Sequence, residues 1–125
     1  MKKSSLFALG ALIAGVSSQA VLADTDCLKL SVEVKHAAAA KPASVLEIVE
    51  RQLAANPNCA CELVKAAIEA TKADSKTVAA IVETAAQVAP EQMRLISQCA
   101  VAVAPDALQE VQMVMARLEP GQGEA

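Results

Sequence analysis

Apolar residues recur along most of this chain at helical rather than strand spacing, in a unit that restarts at nearly equal intervals. From residue 42 onward, similar pieces open at Pro42, Pro57, Ser75, Pro90 and Pro105, with steps of 15, 18, 15 and 15 residues. Aligned on those openings, one position holds Ile48, Leu63, Ile81, Ile96 and Val111. An earlier one holds Val45, Ala60, Val78, Met93 and Leu108, and a later one Ala55, Ala70, Val88, Val103 and Leu118. Each piece therefore carries one apolar stripe that has to be buried against its neighbours. The openings suit helix starts. Proline fits the first helical turn, where its missing N–H would have no partner, and it bars the residue before it from continuing the previous helix. At Asp74 and Ser75 two cap-forming side chains take over that role. Glu47, Glu62 and Glu110 recur away from the centre of the stripe and read as a solvated face.

The segment before Pro42 is less plain. From Cys27 to His36 apolar Leu28, Leu30, Val32 and Val34 alternate with Lys29, Ser31, Glu33 and Lys35, a strand-like pattern. No other alternating run follows, so a strand here would have no partner within the chain. Read as a helix, the segment puts Leu30, Val34, Ala37 and Ala40 on one stripe, and helix is the preferred reading. Fifteen residues back from Pro42 lies Cys27, which makes 27–41 a degenerate first piece and gives six in all. With almost no connecting residues, successive helices should run antiparallel. The expected fold is all-α, with about five or six short helices in an antiparallel two-layer helical-repeat or bundle arrangement. The fifth piece ends in Ala100-Val101-Ala102-Val103-Ala104, apolar all round, and so calls for cover on several faces. The sixth, with Gln109, Glu110, Gln112 and Arg117, reads as a one-sided terminal cap. Residues 119–125 read as a disordered tail, which leaves 24–118 as the helical-repeat domain.

Pairs of pieces repeat every 33 or 30 residues, and in period alone the chain resembles tetratricopeptide repeats. That motif's Trp, Tyr, Phe and first-helix Gly are missing from the repeated region, so the likeness is one of architecture only.

The start of the chain sets the expected compartment. Lys2 and Lys3, an apolar run from Leu6 to Val16, and Val21-Leu22-Ala23 have the form of a secretory signal cleaved after Ala23, so 1–23 is read as a signal peptide and the product as periplasmic or extracellular. The apolar run is too short to span a membrane comfortably, so no stable membrane insertion is expected after cleavage. Without the signal, nine basic side chains face 14 acidic ones, a net charge of −5, which argues against nucleic acid as a partner. The only aromatic residue, Phe7, leaves with the signal. Sugar and single-strand sites built on aromatic platforms are thereby excluded, and binding has to use aliphatic, Met or charged contacts.

Four cysteines in a small exported chain point to two disulfides. Cys27 falls in the first piece, Cys59 and Cys61 in the third and Cys99 in the fifth, all in one layer of a two-layer stack. Two residues apart on a helix is about 200°, so Cys59 and Cys61 face opposite flanks. This favours Cys27 with Cys59 and Cys61 with Cys99. The second pair carries an axial offset of about 7.5 Å that a stagger between repeats would have to absorb.

No stretch combines residue types at the spacing that a particular chemistry needs. The acids are solitary, His36 is the only histidine, Ser44, Ser75 and Ser97 lack a glycine-rich elbow, and glycine is too scarce for a phosphate loop. No enzyme activity, cofactor or metal is expected. The reading is a small exported, disulfide-stapled binding or scaffolding module with an unidentified protein partner and an open oligomeric state. The alternative is a periplasmic thiol-redox or metal-carrying protein using Cys59 and Cys61, the carrier form aided by Met93, Met113 or Met115.

Overall fold

One backbone corner, used four times, shapes the chain. The computed structural model describes residues 26–119; the expected signal at 1–23 and residues 120–125 of the expected tail lie outside them. Lys41, Asn56, Ala89 and Ala104 each precede a proline and share one extended conformation, with φ between −129° and −142° and ψ between 66° and 75°. Proline forces its predecessor out of the helical region, and the chain uses that single residue as the whole connection. Its N–H still closes the outgoing helix, as from Ala104 to the carbonyl of Ala100 at 2.9 Å. Its carbonyl accepts the first bond of the next turn, as from the Ala107 N–H at 3.0 Å. A 3₁₀ turn follows each proline, because the first turn closes on the corner carbonyl three residues back.

Six helices result among the described residues: α1 at 26–40, α2 at Val45–Ala55, α3 at Ala60–Thr71, α4 at Ser75–Val88, α5 at Met93–Val103 and α6 at Leu108–Leu118. Only α3 and α4 are joined differently. Lys72 takes the left-handed conformation at φ 48°, and the Ala73 N–H reaches the Ile68 carbonyl at 3.2 Å. That is the usual helix-ending geometry, here without the glycine that normally occupies it. Asp74 then caps α4, accepting from the Thr77 N–H at 2.9 Å.

The most extensive packing joins every second helix, α2 with α4, α4 with α6 and α3 with α5, so even and odd helices form two layers. Helices within a layer run the same way. Cys27 near the start of α1 meets Cys59 just before α3, and Lys35 further along α1 meets Glu69 further along α3. In the even layer Ser75 at the start of α4 bonds Asp106 before α6, and Glu83 meets Arg117. Both ion pairs join residues 34 apart, at equivalent places in successive helix pairs and with the charges exchanged. Successive helices therefore reverse direction, and the all-α two-layer repeat is the fold.

The core runs between the layers. Leu53, Leu63, Ile81 and Ile96 are its largest fully buried side chains, and Ala60, Ala67, Ala85, Ala89 and Ala100 are buried where helices approach closely. Leu63, Ile81, Ile96 and Val111 of the aligned stripe are buried and Ile48 is half-buried, but Ala55 and Leu108, expected on the same stripe, are exposed at the end of α2 and the start of α6. Segment 27–36 is helical, but its stripe is rotated from the expectation. Leu30, Val34 and Ala38 face the core while Ala37 and Ala40 are exposed. Val34 and Ala38 are four residues apart and share a face, and Val34 is large enough to set which face that is. The apolar end of α5 is also less covered than expected. Ala102 is exposed and Val101, Val103 and Ala104 are half-buried, because no further odd-layer helix among the described residues lies beyond α5.

Candidate functional site

All four cysteines are paired. Cys27 joins Cys59 with Cα atoms 5.2 Å apart, and Cys61 joins Cys99 with Cα atoms 5.5 Å apart. Cys59 ends the turn that leads into α3 and Cys61 lies in the first turn of α3, so the two point to opposite flanks and staple α1 and α5 to the same helix. Cys99 lies in the second half of α5, so α3 and α5 are displaced along their axes, and that stagger absorbs the offset between aligned positions. Cys59 and Cys99 are buried, whereas Cys27 and Cys61 are half-buried.

Ionisable groups do not converge. Among the described residues no polar or charged side chain is buried, and no three His, Cys, Asp or Glu side chains are placed to hold a metal ion. His36 is exposed on α1. Glu47 is exposed, and Glu62 and Glu110 are half-buried. Hydrogen bonds from the Thr77 side chain and backbone N–H hold the Asp74 carboxyl below the usual range, with nearby Lys76 contributing, which is the signature of a helix cap on an exposed group. Ser44 and Ser75 lie at helix starts, and the Ser97 hydroxyl donates to the Arg94 carbonyl at 2.9 Å within α5.

The recesses lie between helices and corners. A crevice of about 460 Å³ separates the α3–α4 turn from the corner before α6, bordered by Glu69, Lys72, Asp74 and Asp106. Several of its polar groups have partners: Glu69 meets Lys35 at 3.5 Å, Asp74 caps α4, and the Ser75 hydroxyl donates to the Asp106 backbone carbonyl at 3.3 Å. A more apolar groove of about 600 Å³ runs along the outer face of α4 and α6. Ala79, Met113, Val114 and Ala116 form its floor, and Lys76, Glu110 and Arg117 its rim. Met113 is 67% exposed there. A smaller one of about 350 Å³ lies between α5 and α6, lined by Val101, Leu108, Val111 and Met115 with Ser97, Gln98 and Gln112.

Sequence reasoning did not find these grooves. The repeated stripe marks the face each helix tends to bury, but Leu108 belongs to that stripe and is 46% exposed, and Met113 lies on a flank whose exposure depends on which neighbour is present. Met115 is half-buried against the core, Met93 is half-buried at the start of α5 and Met113 is exposed. Comparison with known proteins finds no match to this chain among family models, curated proteins or solved structures.

Proposed function

We propose that this protein is a non-enzymatic binding or scaffolding module that acts in an exported, oxidising compartment and engages a protein partner through the outer face of its helical stack. The observation that carries this reading is the apolar groove along α4 and α6, where exposed Met113 stands over Ala79 and Ala116 inside a charged rim of Lys76, Glu110 and Arg117. A shallow apolar floor with a polar rim is how protein contacts are commonly built, and methionine adapts its shape to a partner without aromatic anchors. In this groove the charges lie at the rim, where water competes with any reacting group. Two disulfides are consistent with an oxidising compartment.

A photo-crosslinking residue placed at Met113 in cells tests the proposal, with the same residue at Glu50 on the outer face of α2 as reference. The expected result is a discrete protein adduct from position 113, weakened when Arg117 and Lys76 are both changed to glutamate. Identical adduct patterns at 113 and 50, or catalytic turnover of a disulfide substrate lost on changing Cys59 or Cys61 to serine, would remove the binding reading.

A further inference from the structure

Among the described residues, α1 sits at the end of the odd layer, with a helix of that layer on one flank only. Of its side chains, Val34 and Ala38 are fully buried and Leu30 partly, whereas Leu28 and Val32 are 68% and 53% exposed. A helix of this length is marginal in water by itself, so its order depends on what holds it to the stack. The Lys35–Glu69 ion pair at 3.5 Å is exposed on both sides and holds it weakly. A covalent tie, Cys27 to Cys59, adds to the packing of Leu30, Val34 and Ala38. The rest of the stack does not need α1 to the same degree. Its largest buried side chains, Leu53, Leu63, Ile81 and Ile96, come from α2 to α5, and Cys61–Cys99 independently staples α3 to α5.

We propose that α1 is a redox-released strap: Cys27–Cys59 is its clasp, and a dithiol reductant frees α1 from a five-helix body that stays folded. Cys27 is the half-exposed partner, so a thiolate of the dithiol attacks the Cys27 Sγ and forms a mixed disulfide. The Sγ–Sγ bond breaks, and Cys59 leaves as a thiolate and takes up a proton. The second thiol of the reductant then attacks the mixed disulfide, loses its proton and releases Cys27, which is protonated in turn. The cystine gains two electrons and two protons, and the dithiol becomes a disulfide. Cys61–Cys99 behaves differently because both of its helices stay packed over long faces after reduction. Release of α1 bares the part of the core that Val34 and Ala38 cover, an apolar surface separate from the groove along α4 and α6.

Hydrogen exchange followed by mass spectrometry on the full chain tests this, comparing the oxidised protein with Cys27→Ser/Cys59→Ser and with Cys61→Ser/Cys99→Ser. In the first variant, amides of 30–40 should exchange about 500-fold faster, the scale set by losing a crosslink of this span, while those of α3 and α4 change by less than about tenfold. The second variant should leave α1 protected. Brief dithiol treatment of the unmodified protein, trapped by alkylation, should label Cys27 and Cys59 before Cys61 and Cys99. The proposal is overturned if α1 keeps its protection in the first variant or loses it together with α3 and α4. It is equally overturned if all four cysteines become alkylated in step.

Discussion

Replacing Ile81 with alanine asks whether the core is centred where the two layers meet. Ile81 is fully buried in α4, the helix that packs on α2, α3, α5 and α6. Three carbons are removed, and at about 0.8 kcal/mol for each the transfer loss is about 2.4 kcal/mol. The void left behind adds to this, because buried alanines such as Ala67, Ala85 and Ala100 have no side chain that could swing in to fill it. The expected total is about 4 kcal/mol, a large part of the 5 to 15 kcal/mol typical of a single domain. Ile48 occupies the aligned position of α2 but is only half-buried, so Ile48→Ala should cost about 1.5 kcal/mol. Urea unfolding monitored by far-UV circular dichroism is the suitable assay, since the described residues contain no Phe, Tyr or Trp to report through fluorescence. With a slope of about 1.5 kcal/mol per molar urea, the midpoint should fall by about 2 to 3 M for Ile81→Ala and by about 1 M for Ile48→Ala. Equal shifts for the two, or a cost below about 1 kcal/mol at Ile81, would refute the assignment of α4 as the central element.

Two further substitutions test the helix ends. Lys72 holds the left-handed conformation that closes α3, so Lys72→Gly should stabilise the protein by about 0.5 to 1 kcal/mol and Lys72→Val should destabilise it by about 1 to 2 kcal/mol, both read from urea midpoints. The Asp74 carboxyl is held below its ordinary value of 3.8 in the folded state, so its contribution is present above that pH and is lost as pH falls through the folded value. Asp74→Asn should therefore flatten the loss of stability below about pH 4, and melting temperatures at pH 6 and pH 3 in both proteins measure it.

The repeat was legible because proline marks boundaries independently of tertiary structure. Pro42, Pro57, Pro90 and Pro105 each open a 3₁₀ turn where the spacing placed a helix start, and the Asp74–Ser75 pair opens α4 as its capping chemistry implies. The burial of Leu63, Ile81, Ile96 and Val111 followed from the same alignment. Segment 27–36 was harder to read, since alternating Leu and Val with polar residues imitates a strand while leaving Leu28 and Val32 on the outside of a helix. The α3 terminus carried no signal, because Lys72 occupies a place where glycine or asparagine would have announced the turn. The groove around Met113 was not legible either. It exists only because α4 and α6 lie side by side with small residues between them, and periodicity within one helix does not report the gap to the next.

The one-residue corners also bear on survival among proteases. A protease must draw several consecutive residues into an extended form across its cleft, and it finds such segments in loops. At Lys41, Asn56, Ala89 and Ala104 the backbone N–H and carbonyl are both already hydrogen-bonded, and helix begins again at the following proline. Cutting there requires melting a turn on each side first. The α3–α4 turn at 72–74 is the longest stretch between described helices that is neither helix nor 3₁₀ turn, and a nick there would leave two fragments, each carrying one cysteine of the Cys61–Cys99 bridge. The stack would stay joined after its backbone had been severed, so digestion would register on a reducing gel well before the molecule came apart.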